Sequence, residues 1–233
     1  MIPLQVNRAR TIAVLALSFA CAPANTSKQV AESGTVGRED TTKVAVPAAP
    51  ADPDIAKADL ARIQGSPTAP LWVIEVSDFQ CPYCKQWHDE TYKTFRNELV
   101  STGKVRLAYV NYPLAMHQYA WPAAEAAMCA AAQGKFWEMH DALFNTQEKW
   151  EVLRSPAMFF DSLARAQGVD ADRWHKCVQS GKMKPLIQAD HDRAETAGAN
   201  STPSFMIGDK LLAGAQPIEE LRRAVDSAMA KRK

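Results

Sequence analysis

Two cysteines separated by two residues, Cys81-Pro82-Tyr83-Cys84, stand shortly after the apolar run Leu71-Trp72-Val73-Ile74-Glu75-Val76. A near-continuous apolar run of this length reads as a central strand covered on both faces. Pro82 suits the first helical position, because it has no N–H to leave unpaired there. A Cys-x-x-Cys between a buried strand and a helix is a redox device. The helix start favours a thiolate on the first sulfur, and the second lies close enough to close a disulfide on it. The same spacing would also serve as half of a tetrahedral zinc site. The far end of the chain weighs against zinc. There Thr202-Pro203 precedes Ser204-Phe205-Met206-Ile207, a Gly208-Asp209 turn and Lys210-Leu211-Leu212. That is a proline opening a hairpin strand, a setting in which a cis X-Pro bond is expected.

Together these landmarks resemble the thioredoxin superfamily, and the text between them resembles its DsbA-like thiol oxidoreductases. The matching stretches are Val76-Ser77-Asp78-Phe79-Gln80-Cys81-Pro82-Tyr83-Cys84-Lys85, Tyr112-Pro113-Leu114, Gly134-Lys135-Phe136-Trp137-Glu138-Met139-His140-Asp141-Ala142-Leu143-Phe144 and Ser201-Thr202-Pro203-Ser204-Phe205. The resemblance spans residues 66–230. It is specific for the family and not for the member, since DsbA-like proteins include oxidases, isomerases and proteins of unassigned role.

The segmentation of the chain agrees with it. A helix is expected from the Cys-x-x-Cys to about residue 100, with Phe95 and Leu99 on one face, then a strand over 105–110. Residues 116–197 carry no strand signal and read as several helices, near 120–133, 136–144 and 156–167 and onward to 197. The hairpin and a last helix over 217–231 complete the chain. Pattern alone gives an α/β chain with a helical block. The resemblance supplies the topology: a thioredoxin fold with an inserted all-helical subdomain.

At the other end, Arg8 and Arg10 precede the apolar stretch Ile12-Ala13-Val14-Leu15-Ala16-Leu17. That is a secretory signal, too short to span a bilayer, and residues 1–24 are assigned to it. Ser18-Phe19-Ala20-Cys21 resembles a bacterial lipobox imperfectly, so cleavage before Cys21 with lipidation there is weighed against ordinary cleavage near Ala22 or Ala24. We lean to the lipoprotein. Residues 25–53 contain no aromatic residue and read as a flexible tether, with the DsbA-like domain over 54–233. Weak helical periodicity at 54–63 ends at Gly65 and Pro67. A formal net charge of +1 gives no reason to invoke nucleic acid or an anionic membrane surface. An export signal and disulfide chemistry both point to an oxidising compartment, the periplasm or cell envelope.

The candidate site residues follow. Cys81, at the helix start, is expected to be the nucleophile and Cys84 the resolving partner. Tyr83 departs from the Pro-His dipeptide of the best-known oxidases in the family; a neutral phenol stabilises a thiolate less than a cationic imidazole, and Tyr83 reads equally as a substrate-facing aromatic with no electronic role. Pro82, Tyr83 and Thr202 are candidates for substrate contact. Glu75 matches an acidic residue that, in the family, lies under the site and moves protons; a carboxylate in an apolar strand needs a job or a partner. Asp78 competes for that role or holds the turn into the helix. Pro203 should present the backbone of Thr202 beside the sulfurs, where an unfolded substrate can add as a short strand; the resemblance implies that it also keeps metal from the thiolates. His88 lies one helical turn past Cys84, a spacing that could bind copper or zinc, whereas His117 and His140 read as core or capping residues. Phe136, Trp137, Phe144 and Trp150 read as helix packing. Cys129 and Cys177 are expected to form a structural disulfide worth about 4 kcal/mol in the chain-entropy account, the alternative being two buried free thiols.

The expected function is an exported thiol:disulfide oxidase that donates the Cys81–Cys84 disulfide to reduced or unfolded envelope proteins. It needs no cofactor and acts as a monomer recharged by a membrane quinone-linked oxidase. The alternatives are an isomerase or reductase, for which residues 25–65 are too short and polar to supply a dimerisation module, and a metal-handling module built on Cys81, Cys84 and His88.

Overall fold

The structure is a computed structural model that describes residues 52–231. The assigned signal segment, Cys21 and all but the end of the tether lie outside the described residues.

The chain enters through α1 (Pro53–Ala61), capped by the Asp52 carboxylate on the amide of Asp54. A two-residue strand, β1 (Ile63–Gln64), follows, then β2 (Leu71–Ser77), a long helix α2 (residues 82–100) and β3 (Val105–Asn111). β2 runs parallel to β3, from Leu71 opposite Val105 to Ser77 opposite Asn111. Parallel neighbours need a crossover, and α2 supplies it. After the helical block come β4 (Ser204–Ile207) and β5 (Lys210–Ala213), a hairpin turning at Gly208-Asp209. β4 lies antiparallel on the other side of β2, with Glu75 opposite Phe205. The sheet order is therefore β1-β3-β2-β4-β5, with β2 at its centre.

Leu71, Val73, Glu75 and Ser77 share one face of β2, by the two-residue period of a strand. Against that face pack Trp87, Tyr92 and Phe95 of α2, with the Trp87 ring 4.8 Å from that of Phe205. The expectation of full cover on both faces fails on the opposite face, where Ile74 is only half-buried and Trp72 is open. Trp72 is 40% exposed, and the Arg106 guanidinium covers its ring at 4.6 Å. α2 is continuous but widens into two π-helical stretches, His88–Tyr92 and Arg96–Val100.

Strand β1 has no signal in the sequence, being too short to show alternation. Its placement depends on Gly65, whose φ is +102° and where a Cβ would lie 2.8 Å from the carbonyl oxygen of Val105. β1 covers β3 only as far as Ala108. Beyond it the outer edge of β3 is closed by side chains. Arg62 donates to the carbonyl of Tyr109 and also to Asp190, while Asp190 accepts from the amide of Asn111 at 3.2 Å and its side chain at 2.9 Å.

Asp190 belongs to α8 (Lys184–Thr196), the last helix of an all-helical block between β3 and β4. The others are α3 (Ala120–Ala131), α4 (Phe136–Asn145), α5 (Gln147–Trp150), α6 (Ala157–Ala166) and α7 (Ala171–Ser180). α3 is alanine-rich and buried on nearly all sides, which lets its neighbours approach closely. A disulfide from Cys129 to Cys177 links α3 to α7 with Cα atoms 5.7 Å apart. Phe136, Phe144 and Trp150 fill the core of the block. α9 (Ile218–Ala230) returns to the sheet and buries Leu221, Ala224 and Val225.

Asp190 is fully buried and faces two arginines, Arg62 and Arg193. Asp190→Ala should therefore leave the Arg62 charge buried without its partner and cost about 3–5 kcal/mol. Urea unfolding at constant m checks this; a midpoint like the parent's would show that the edge of β3 does not need this pair.

Candidate functional site

Cys81 is the N-cap of α2, in extended conformation, and Pro82 is the first helical residue. The turn into the helix is closed by the Cys81 amide donating to the carbonyl of Asp78 at 3.1 Å. The Thr202-Pro203 peptide is cis, and Cys81 Sγ donates to the carbonyl of Thr202 at 3.3 Å. Cys84 is almost fully buried one turn further in, and its Sγ accepts from the Asp78 amide at 3.5 Å. Pro82 and Tyr83 stand outside, Tyr83 with 63% of its surface exposed. Cys81, Cys84 and Thr202 are all buried, and Pro82 and Tyr83 are the exposed residues of the motif.

The two sulfurs are chemically unequal. The Cys84 thiol bonds to Cys81 and lowers its pKa to about 6, against the opposing effect of burial; the Thr202 hydroxyl and the backbone N–H groups of Cys84 and Tyr83 add to the lowering. That hydroxyl is buried and has no hydrogen-bond partner while Cys81 is a thiol, so it is free to turn to the thiolate. Cys84 moves the other way, pushed up chiefly by burial and then by the neighbouring Cys81.

Glu75 is buried on the central strand, with Tyr109 beside it on β3. Burial raises its pKa to about 8, partly offset by the Ser77 hydroxyl and the positive charge of His88. Glu75 Oε2, Ser77 Oγ and Tyr109 OH are buried without a hydrogen-bond partner.

Two contacts to the site carried no sequence signal. Asp78 does more than hold its turn, in which Oδ1 accepts from the Gln80 amide at 2.8 Å. Its Oδ2 accepts from the amide of Leu114 at 2.9 Å and bonds Nδ1 of His117 at 2.6 Å. This clamps the loop after β3 to the turn that carries Cys81. The bond to Asp78 raises the His117 pKa, and negative charge on Cys81 raises it further. His117 can therefore supply the positive charge that the Pro-Tyr dipeptide lacks. Gln147 of α5, buried, donates to the carbonyls of Phe79 at 2.7 Å and Cys81 at 3.2 Å, tying the helical block to the turn. Both partners are distant in sequence.

The structure does not join His88 to the sulfurs as a metal-binding set. Its Nδ1 lies 3.0 Å from Asp89 and its Nε2 3.4 Å from Asp141. Among the described residues, the group with metal-ligand spacing is His88, His140 and Asp141, within 4.8 Å of one another.

Comparison with known proteins places the chain. The family model described as Thioredoxin matches residues 57–227. The chain belongs to the thioredoxin family. It is 26% identical over 171 residues to the probable disulfide bond formation protein D of Bacillus anthracis, covering 72% of this chain and 77% of that protein. It is 36% identical over 182 residues to the Na(+)/H(+) antiporter NhaA 3 of Salinispora tropica, covering 78% of this chain and 26% of the relative. This chain thus spans about a quarter of that relative's length. The crystal structure of Wolbachia pipientis alpha-DsbA1 superposes with a TM-score of 0.65 at 21% identity, over 74% of this chain and 94% of that one. The thioredoxin fold with its inserted helical block is DsbA-like.

Removing the His117 charge tests its effect on Cys81. In reduced His117→Gln, alkylation of Cys81 at pH 6 should slow about threefold to tenfold, the lower range for loss of one opposite charge beside a titrating group. An unchanged rate–pH profile would exclude His117 from the electrostatics of the site.

Proposed function

We propose that this chain is a thiol:disulfide oxidoreductase working in the oxidising direction on reduced exported proteins. The observation that carries this reading is the inequality of the two sulfurs, with Cys81 favoured as thiolate beside the Thr202 backbone and Cys84 held as a buried thiol. A substrate thiolate attacks Sγ of Cys81 in the disulfide form. The Cys81–Cys84 bond breaks, a mixed disulfide forms on Cys81, and Cys84 leaves as a thiolate that takes the proton of Glu75. A second substrate thiolate then attacks its own sulfur in the mixed disulfide and releases Cys81 as thiolate. The substrate loses two electrons and the cysteine pair gains them. A low thiol pKa makes Cys81 the better leaving group, which favours transfer of the disulfide outward.

The remaining assignments are part of the same proposal. The cis Thr202-Pro203 segment and exposed Tyr83 form the edge on which an extended substrate lies. Residues 1–24 direct export, and a lipid on Cys21 with the following tether holds the domain at the envelope as a monomer. A membrane quinone-linked oxidase takes the two electrons back. The name of the Bacillus anthracis relative, a probable disulfide bond formation protein, supports the activity. No helix among the described residues is long and apolar enough to cross a membrane.

Redox equilibration with glutathione tests the direction. The Cys81–Cys84 pair should be more oxidising than about −180 mV, and a value near the thioredoxin level of about −270 mV would make it a reductase. Reduced protein should alkylate fast at Cys81 and slowly at Cys84; the reverse order would overturn the role assignment.

Glu75 gives a second test, through stability. It keeps its proton up to about 8 in the fold but titrates near 4.5 when unfolded. Between those values the folded state binds more protons, so its contribution to stability is lost as pH rises through the window. Glu75→Gln should raise Tm more at pH 8 than at pH 4.5. An equal shift at both would mean that Glu75 is ionised in the fold.

A further inference from the structure

Helices α2 and α4 meet at two histidines and a carboxylate, His88 from α2 and His140 with Asp141 from α4. Their ligand atoms all lie within 4.8 Å of one another. One oxygen is common to both rings: Asp141 Oδ1 lies 2.8 Å from Nδ1 of His140 and 3.4 Å from Nε2 of His88. Ligands arranged tetrahedrally on zinc, with bonds of about 2.0–2.2 Å, stand about 3.4 Å apart. The Asp141–His88 separation already has that value, and the Asp141–His140 pair must open by about half an ångström. Both rings are also set for ligation. Nδ1 of His88 lies 3.0 Å from Oδ1 of Asp89, the kind of carboxylate contact that orients a metal-bound imidazole and leaves its opposite nitrogen to the ion. His140 is fully buried among Phe79, Tyr92, Trp137 and Phe144, and its Nε2 has no hydrogen-bond partner. An imidazole buried with so little polar company is expensive for packing alone. The first widened stretch of α2 begins at His88, and π-helical turns of this kind recur at functional sites.

We propose that His88, His140 and Asp141 bind a divalent ion of the zinc class, which ties α2 to the helical block through α4. The ion takes the place of the proton held between Nδ1 of His140 and Asp141, and that proton leaves to water. An ion can reach the group from outside. Asp141 has 36% of its side chain exposed and lines, with His88, Asp89 and Asn145, an open hollow of about 310 Å³. At about 30 Å³ each, several waters fit there, and one can complete a tetrahedral set. Lys93 and Arg96 line the same hollow and oppose a cation, so binding depends on direct ligation and not on a favourable field. The donors choose the ion. Two imidazoles and one carboxylate suit zinc and its neighbours, whereas calcium and magnesium take oxygen ligands. Neither Cys81 nor Cys84 is a ligand, so the inference goes beyond the oxidoreductase reading and does not rest on it.

The test uses the full chain carrying Cys21→Ser, with the Cys81–Cys84 disulfide closed so that no free thiol can bind metal. Zinc titrated calorimetrically into chelator-treated protein should bind at one ion per chain, and calcium or magnesium should not compete. The chain has five histidines. Zinc should shift the imidazole NMR signals of His88 and His140 and leave those of His117, His175 and His191 in place. His88→Gln and Asp141→Asn should each weaken binding more than about tenfold, and Asp89→Asn about tenfold, the lower end for a residue that only orients a ligand. At a hundredfold excess over Kd, zinc should raise Tm by about 5–10 °C, a rise that His88→Gln abolishes at the same zinc concentration. No bound zinc, shifts confined to the other histidines, parental affinity in both ligand variants, or calcium bound as tightly as zinc would each overturn the site. The spectra need no substitution at the site, so they decide the matter even where a variant fails to fold. All of these results leave the oxidoreductase reading intact, whereas failure of the reduced pair to exchange with glutathione would overturn that reading and not the site.

Discussion

The site depends on a carboxylate placed in the middle of an apolar strand. Glu75 sits at the centre of β2, the central strand of the sheet, where its neighbours on the same face are Val73 and Ser77. Burying an ionised carboxylate there is expensive, and the group answers by staying protonated to about 8. A buried acid that stays protonated in this range can store a proton inside the fold. The core around the strand is thereby committed to a set of polar groups, and the helices that cover it must accommodate them.

The helix start alone does not set the inequality of the two cysteines. Cys81 is a buried N-cap, facing backbone N–H groups, the Thr202 hydroxyl and the thiol of Cys84. Cys84 is enclosed, so its thiolate is penalised by burial first and by its neighbour second. Negative charge is thus directed to Cys81 and away from Cys84. A neutral Tyr83 between the cysteines removes one source of help for that charge. To its side stands the Asp78–His117 pair, held by a 2.6 Å bond, whose imidazole pKa is raised by Asp78 and further by negative charge on Cys81.

How much of this is legible in the sequence depends on the range of each interaction. The central strand, the helix after the Cys-x-x-Cys, the helical block and the terminal hairpin are all local patterns, and they read clearly. Glu75 stands out because a charge in an apolar run is a local anomaly. Strand β1 does not read, since two residues carry no period and its position is fixed by the close approach of Gly65 to Val105. The widened turns of α2 leave no mark on its apolar face. His117 and Gln147 act on residues 39 and 68 positions away, and nothing in the local text marks a histidine or glutamine that will bond across the fold. The same holds for Asp190, which looks like one acid on a polar helix and is the buried partner of Arg62.

The helical block therefore does more than cover the sheet. It sends Gln147 to the carbonyls of the active turn and His140 to the polar cluster, while α8 sends Asp190 to the open edge of β3. These contacts leave from three different helices, so their geometry holds only if the helices keep their relative positions. α3 runs through the middle of the block and is mostly alanine, a residue that packs closely but offers few large side chains to interlock. The disulfide from Cys129 of α3 to Cys177 of α7 joins two helices whose packing would otherwise rest on small contacts. Its two residues are buried, as are Cys81 and Cys84, but the reactive pair has the exposed Pro82 and Tyr83 between its cysteines. Thiol exchange requires a nucleophile to reach a sulfur; the covalent link of the block joins residues inside two packed helices, whereas Cys81 stands at the very start of its helix.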